Sequence, residues 1–301
     1  MNAEAREPVA ALDIGTNTVL LLIAELDSDG ALRVLEEQCR TPRLGEGLAR
    51  SGRIAPAALE RGYAALEEFA ARIASHRIPP ARVRAVGTAV VRRAANAQAF
   101  LEGVRARLGL VIEILSEAEE ARLGAAAVQA ELGALRAAVI DVGGGSTEYA
   151  SADGARRLSI PIGAVVLAES GLGWPEKAAL AASLARSFPE QDARGALAVG
   201  LGGTAVNLAC LEQGLAAFDP QQAEGVVLEP AAARRWAERL AGLTLPERLR
   251  LPIEPERASI LPEGLLCLAA ALERLKPGAL RVSGRGLRYG VARGLLEKNR
   301  A

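Results

Sequence analysis

Two turns that each follow an aspartate constrain the fold more than any other feature of this sequence. In each one a short apolar run ends at an aspartate, and glycine and hydroxyl residues follow before the next apolar segment. Short apolar runs bounded by turn residues predict buried strands. The pattern therefore predicts two related halves, each built on a strand, a turn and a second strand. The segments are Val9–Leu12, Asp13, Gly15-Thr16-Asn17-Thr18 and Val19–Leu26 in the first half, and Ala137–Ile140, Asp141, Gly143-Gly144-Gly145 and Ser146-Thr147-Glu148 in the second.

The triple glycine predicts a binding site for phosphate. Without Cβ atoms, the backbone of Gly143–Gly145 can approach a ligand closely. Successive N–H groups in such a turn form a concave anion site, and the hydroxyls of Ser146 and Thr147 add donors at its rim. Asp141 and Glu148 place two carboxylates beside it, as expected where a divalent cation bridges protein and phosphate. The alternative is a glycine-rich hairpin whose polar residues are simply solvated.

Composition narrows the function classes. A chain of 301 residues predicts two domains. Because 36 basic residues balance 36 acidic ones, we expect neither DNA nor an anionic membrane as a partner. Three isolated cysteines and the lack of a signal-like or membrane-spanning run predict a cytoplasmic protein without disulfides. The single histidine, His76, makes Ser-His-Asp and Cys-His catalysis improbable.

Three further segments carry charged or glycine-rich signals. Arg92 and Arg93 follow the predicted strand Val83–Gly87, where guanidinium groups can grip phosphate, although a solvated helix face predicts the same residues. A helix predicted from Ser116 to about Glu131 begins with three glutamates, and acidic residues in a first turn are ordinary partners of the helix dipole. Gly202, Gly203 and Thr204 form a predicted turn before the helix Ala205–Gln213. Such a turn favours either a nucleotide contact or close packing.

Taken together, these segments resemble the exopolyphosphatase / guanosine pentaphosphate phosphohydrolase family, within the superfamily of actin, sugar kinases and heat-shock ATPases. Eight segments appear in the family's order from residue 9 to about 297. They are ALDIGTNTVLLLIAEL, AVGTAVVRRAANAQAF, IEILSEAEEARLGAAAV, VIDVGGGSTEYA, LSIPIGAVVL, VGLGGTAVNLACLE, FDPQQAEGVVL and RVSGRGLRYGVARGLL. The match is to the short, two-domain form of the family.

The resemblance implies an α/β fold of two actin-like (ribonuclease H-like) domains. Each domain is expected to be a mixed sheet flanked by helices, with the active site in a cleft between the domains. We place the N-terminal domain at 1–118 and the C-terminal domain at 119–286. The closing helix, about 287–301, is expected to pack back on the first domain. The family also implies a homodimer.

The resemblance further implies a Mg²⁺-dependent phosphohydrolase that releases terminal phosphate from polyphosphate or guanosine pentaphosphate. Its general base lies in the segment Ser116–Ala121, where we assign Glu120, with Glu119 as the alternative and Glu148 assisting. The metal ligands would be Asp13, Asp141 and Glu148. Phosphate would be held by Gly15, Thr16, Asn17, Thr18, Arg92, Arg93, Gly143, Gly144, Gly145, Ser146 and Thr147, and a nucleotide by Gly202, Gly203 and Thr204.

Three positions depart from the family's pattern. Glu117 replaces a glycine beside the proposed base, Glu224 stands where relatives often carry histidine, and Ser259 stands where they commonly carry aspartate. The alternatives to a hydrolase are a phosphate or alarmone sensor without activity and a small-molecule kinase of the same fold.

Overall fold

The computed structural model describes residues 7–133 and 135–298, and the chain divides into two compact units. Within the described residues, the first unit comprises 7–116 and 287–298, and the second comprises 117–286. Residues 299–301, which the prediction assigned to the closing helix, lie outside the described residues.

The first unit contains a five-stranded mixed sheet in the order β3-β2-β1-β4-β5. Strand β1 pairs antiparallel with β2 and parallel with β4, so a hairpin and a crossover share one central strand. The strands are β1 (Val9–Ile14), β2 (Val19–Leu26), β3 (Leu32–Arg40), β4 (Val83–Gly87) and β5 (Ile112–Ile114). The helices are α1 (Leu48–Ser51), α2 (Pro56–Ser75), α3 (Ala89–Arg93), α4 (Ala97–Leu108) and the chain's closing helix, α13 (Leu287–Lys298).

The second unit contains a six-stranded mixed sheet in the order β10-β11-β9-β6-β7-β8. Its strands are β6 (Ala138–Val142), β7 (Thr147–Ala150), β8 (Arg157–Ile160), β9 (Leu197–Leu201), β10 (Val227–Leu228) and β11 (Ala279–Ser283). Its helices are α5 (Glu117–Leu132), α6 (Ala164–Ala168), α7 (Trp174–Ala185), α8 (Gly202–Glu212), α9 (Pro220–Ala223), α10 (Ala232–Ala241), α11 (Leu245–Arg248) and α12 (Leu261–Leu275).

The two sheets repeat one topology. Taken from the opposite edge, the second sheet runs β8-β7-β6-β9-β11, which matches β3-β2-β1-β4-β5, and β10 extends it. The prediction of two mixed sheets flanked by helices is confirmed. The sequence did not predict β10, because a strand of two residues has no periodic pattern.

Strand alternation decides which side chains of the second unit meet α5. Ala138, Ile140 and Val142 face the large core that contains α8 and α12. Ala137 and Val139 instead pack with Val128 of α5. Because successive side chains of a strand point to opposite faces, Asp141 continues the series on the α5 side of the sheet.

One local prediction was wrong. Gly202, Gly203 and Thr204 do not form a turn before a helix, because α8 begins at Gly202 itself and its first turn contains all three residues.

Within the described parts of the chain, none of the helices is long and apolar enough to cross a membrane.

Candidate active site

Two carboxylates face each other across the hairpin of the second unit. Asp141 on β6 and Glu148 on β7 are direct partners in the antiparallel register. Side chains of such partners lie about 5 Å apart at their Cβ atoms, and like charges placed there repel. Ala150, two residues beyond Glu148, packs in the same cluster as Val128 of α5, so Glu148 also belongs to the α5 face. The hairpin therefore concentrates negative charge where the sheet meets α5.

Glu148 is the most perturbed acid of this group. Its side chain is buried, with 5% of the residue exposed. Burial raises the pKa of Glu148 well above its usual range, and the charges of Glu120 and Asp141 raise it further. Hydrogen bonds from Ser146 and Ser159 oppose this increase, and the Ser159 hydroxyl lies 2.8 Å from Oε1 of Glu148. A buried carboxyl next to two other carboxylates is stabilised when it takes up a proton or binds a cation.

The first turn of α5 brings a third carboxylate to the pair. A Cβ at Gly124 of α5 would lie 3.6 Å from the Leu201 side chain, so this position faces the sheet. Glu120 lies one helical turn earlier and therefore on the same face of α5. Glu119 lies beside it but is held differently. Its carboxylate accepts two hydrogen bonds from Arg122, both 2.8 Å long. Of the two glutamates, Glu120 is thus the one in electrostatic contact with Glu148, and Glu119 forms an ion pair on the helix surface.

The triple-glycine turn is closely packed against α6. The amides of Ala164 and Val165 donate to the carbonyl oxygens of Gly143 and Gly144, both at 2.9 Å. A Cβ at Gly163 would lie 2.5 Å from the Gly143 oxygen, so only glycine fits at that position. These contacts orient the carbonyl groups of the turn toward α6 and fix its backbone.

The hydroxyls of three predicted binding residues have different partners in the structure. Thr147 has no exposed surface, and its hydroxyl donates to the Ile162 carbonyl at 2.7 Å. The Thr204 hydroxyl donates to the Val142 carbonyl at 3.1 Å. Ser146 is buried beside Glu148 and donates to it. Thr147 and Thr204 therefore hold the fold, whereas Ser146 belongs to the carboxylate site.

Gly202 and Gly203 lie against charged side chains of the second unit. Gly202 has a φ of +75°, and a Cβ there would lie 3.2 Å from Oδ1 of Asp141. A Cβ at Gly203 would overlap the guanidinium of Arg257, which pairs with Glu254 at 2.6 Å. Both glycines thus allow close packing, one of the two interpretations the sequence left open, and the nucleotide contact stays a prediction.

The first unit carries the matching turn. The amide of Gly15 donates to the Thr18 carbonyl at 2.9 Å, as that of Gly143 does to Ser146 at 3.0 Å. Thr16 and Asn17 are buried, and the Nδ2 atom of Asn17 has no hydrogen-bond partner among the residues that the structure describes. An unsatisfied buried donor is costly in a protein interior, so a ligand that accepts from it would stabilise the turn.

The two arginines predicted to bind phosphate, Arg92 and Arg93, differ in exposure. Arg92, partly buried on α3, donates from Nη1 to the Leu115 carbonyl at 2.8 Å, which ties it to the end of β5. Arg93 is exposed. The sole histidine, His76, lies 2.8 Å from Glu36 at the end of α2 and not in either turn.

Known proteins resemble this chain over nearly its whole length. The sequence model of the Ppx/GppA phosphatase family matches residues 22–299. The chain belongs to this family. It is 31% identical to "Exopolyphosphatase 2" of Mycobacterium tuberculosis, over 94% of this chain and 97% of the relative. A crystal structure of the Aquifex aeolicus Ppx/GppA family member matches with a TM-score of 0.81 and 31% identity, covering 98% of this chain and 99% of that one. An exopolyphosphatase-like protein of known structure matches with a TM-score of 0.88 and 26% identity, covering 99% and 100%.

A metal ion in this Ppx/GppA chain would have to be held by few protein ligands. Among residues 7–133 and 135–298, no group of three His, Cys, Asp or Glu side chains is arranged to hold one. Mg²⁺ is commonly bound through one or two carboxylates together with water and substrate phosphates. Asp141 and Glu148 supply such oxygen donors, and a cation would offset their repulsion, so the residues present fit Mg²⁺.

Sequence reasoning missed Ser159, which donates to Glu148 from the next strand. Glu148 and Ser159 are register partners of β7 and β8. A signal was available, because Asp153-Gly154 is a typical turn dipeptide and counting outward from it pairs residue 148 with residue 159.

Proposed function

We propose that this protein hydrolyses terminal phosphates of inorganic polyphosphate, with Glu120 as the general base. One observation carries the proposal. Glu120 and Asp141 interact electrostatically with the buried Glu148, beside a glycine turn whose backbone is held by hydrogen bonds to α6. A buried acidic group whose pKa is strongly perturbed, as that of Glu148 is, is a common mark of a functional site. The related protein from Mycobacterium tuberculosis is named an exopolyphosphatase, which supports polyphosphate as the substrate.

The hydrogen bonds of α5 favour Glu120 over Glu119 as the base. Two charge-assisted bonds from Arg122 stabilise the ionised form of Glu119 and make it a weaker proton acceptor. Glu120 instead lies near the carboxylates of the hairpin, whose negative charge favours its taking up a proton. A base in that setting is better matched to accept a proton from water.

In the proposed reaction, water attacks the terminal phosphorus and the bond to the bridging oxygen breaks. The proton of the water passes to Glu120, and the shortened polyphosphate leaves with the bridging oxygen. In the second unit, the amides that follow Gly143 in the triple-glycine turn would hold the phosphate. Gly15–Thr18, Arg92 and Arg93 stay predicted phosphate-binding residues of the first unit. Positioning and charge stabilisation of this kind supply most of the catalysis in phosphoryl transfer.

Asp141 and Glu148 would hold Mg²⁺, and a role for Asp13 stays a sequence prediction. When bound, the ion would offset the negative charge of the phosphate oxygens. Hydrolysis of guanosine pentaphosphate, a homodimer and a cytoplasmic location belong to the same proposal, because the family resemblance and the cysteine usage favour them.

The test measures phosphate release by the purified protein, with Mg²⁺ present or chelated. The substrates are long polyphosphate, short polyphosphate, guanosine pentaphosphate and ATP. Glu120→Gln should lower kcat by about 10²–10⁴-fold and change KM little, because it removes a proton acceptor and keeps the shape of the side chain. Glu117→Gln, an exposed residue in the same helical turn, is the matched control and should stay within about threefold of the wild type.

Two further results decide between assignments. A loss in Glu119→Gln as large as expected for Glu120→Gln, with Glu120→Gln active, would move the base to Glu119. If the wild type binds polyphosphate but releases no phosphate from any substrate, the hydrolase proposal is wrong and a sensor is favoured.

A further inference from the structure

A pocket in the second unit lies outside the acidic site. It encloses about 350 Å³ between α5, the start of β6 and the hairpin that joins β7 to β8. It exists because the facing side chains are small, among them Ala125 and Ala126 on α5, Ala137 before β6 and Ala152 in the hairpin. This volume is at the lower end of the range for small-molecule sites.

Three arginines line this pocket, one from each side: Arg122 from α5, Arg136 from the segment before β6 and Arg157 from β8. All three are exposed, so their charge can reach a ligand from solvent. A guanidinium has five N–H donors and the ion pair with Glu119 uses two of them, so Arg122 can serve a ligand without releasing Glu119. Arginines converging from three elements favour an anion with several oxygens, above all a phosphate.

Among the described residues, one carboxylate lines the pocket, and it already accepts hydrogen bonds within the hairpin. Asp153 accepts hydrogen bonds from the Ser151 hydroxyl and the Ala155 amide, the latter at 2.9 Å. These bonds, with that from Ser151 the strongest, lower the pKa of Asp153, so it is ionised at neutral pH. The lining therefore carries three positive charges and one negative charge. Glu119, outside the lining, offsets the charge of Arg122, so Arg136 and Arg157 supply most of the attraction for an anion.

The floor of the pocket is apolar. Val128 and Val139 line it together with the alanines. Inorganic phosphate would leave this floor uncovered, whereas a nucleotide would cover it with its base and bring its phosphates to the arginines. We infer that this pocket binds a nucleoside diphosphate, at a site separate from the proposed active site and not dependent on the proposed function.

The test uses α,β-methylene-ADP, which has no bridging oxygen to hydrolyse, with binding followed by titration calorimetry. The double variant Arg136→Ala/Arg157→Ala should weaken binding at least tenfold, because it removes two of the three phosphate contacts. Ala126→Leu keeps the charges but fills the pocket, and should also weaken binding. Arg186→Ala, an exposed arginine of the same unit outside the pocket, is the matched control and should bind as the wild type does.

Two comparisons identify the ligand class and the site. Methylenediphosphonate should bind at least tenfold more weakly than the nucleotide analogue, and equal binding would overturn the assignment of a nucleoside. Arg92→Ala, in the proposed phosphate grip, should leave binding unchanged even where it abolishes phosphate release. Binding that is lost in Arg92→Ala but kept in the pocket variants, or no binding at all, would overturn the inference.

Discussion

The turn after Asp13 and the turn after Asp141 have the same backbone design but different surroundings. Each closes with an amide-to-carbonyl bond across three residues, and each is packed by a second segment that presents a glycine. The register partner of Asp141 is Glu148, whereas the partner of Asp13 is Leu20. Only the second turn therefore faces a second carboxylate across its hairpin.

The helices that pack on the two hairpins also differ in the number of acidic residues in their first turns. In the second unit, α5 has three glutamates in its first turn. In the first unit, α13 packs on β1 and β2, and its first turn contains no acidic residue. One repeated fold has thus kept the same backbone turn in both units and gathered carboxylates around only one of them. The difference teaches that topology sets where a turn lies, and a few substitutions around it set its chemistry.

The largest effect should come from removing the carboxylate that distinguishes the two turns. Glu148→Gln is expected to lower phosphate release by about 10²-fold or more, because it removes a charge beside the proposed base and an oxygen ligand for the metal. Leu20→Met at the matching position should stay within about threefold, since the swap nearly conserves volume. Steady-state kinetics with polyphosphate measure both variants.

A wild-type rate in Glu148→Gln would break the comparison, because the asymmetry between the turns would then have no role in catalysis. An equally large loss in Leu20→Met would attribute the effect to folding.

The next effect concerns the glycines that pack each turn. At Gly163 a Cβ would meet backbone, 2.6 Å from the Gly144 carbonyl carbon, whereas at Gly45 it would first meet a side-chain methyl of Thr16. Backbone cannot rotate away, so Gly163→Ala should lower the free energy of unfolding by about 1–3 kcal/mol, and Gly45→Ala by less.

Denaturant unfolding measures these losses, with Gly294→Ala as the control. Gly294 lies within α13 with open space around its Cβ position, so alanine there should leave stability unchanged or slightly raised. A larger loss in Gly45→Ala than in Gly163→Ala would contradict the distinction between backbone and side-chain contacts.

The sequence predicted these turns well because each signal was local. The strands Val19–Leu26 and Val83–Gly87 have the predicted bounds, since each apolar run and the turn residues beside it lie close together in the sequence. The start of α8 was misplaced because glycine at a positive φ normally ends regular structure, and here it begins a helix against Asp141.

Side-chain partners were harder to predict, because they depend on the packing of distant segments. No pattern around Thr147 indicates that its hydroxyl donates to Ile162, and none around Arg122 distinguishes an ion pair with Glu119 from a solvated arginine. The ion pair that sets Glu119 apart from Glu120 therefore became visible only in the structure.

A smaller effect concerns pH. Because the pKa of Glu148 is raised in the folded state, the folded protein retains a proton that the unfolded chain has lost above about pH 4.3. Where the folded state binds more protons, stability falls as pH rises. With metal chelated, the contribution of Glu148 should decrease from about pH 4.3 until its folded pKa is passed. Glu148→Gln should flatten this decline, and an unchanged slope in denaturant unfolding across pH would contradict the assignment.

The smallest effect uses the cysteines to report on each unit separately. Cys39 is exposed on β3, whereas Cys210 and Cys267 are buried in the second unit. Burial raises the pKa of Cys267 to about 12 and also raises that of Cys210, so both thiols stay protonated at pH 8. A thiol reagent should label Cys39 promptly and the other two only when the second unit opens, because the thiolate is the reactive form.

Gly163→Ala should speed labelling of the two buried thiols, and Gly45→Ala should leave their rate unchanged. Equal acceleration by both variants would mean that the two turns are stabilised as one structure rather than each by its own unit.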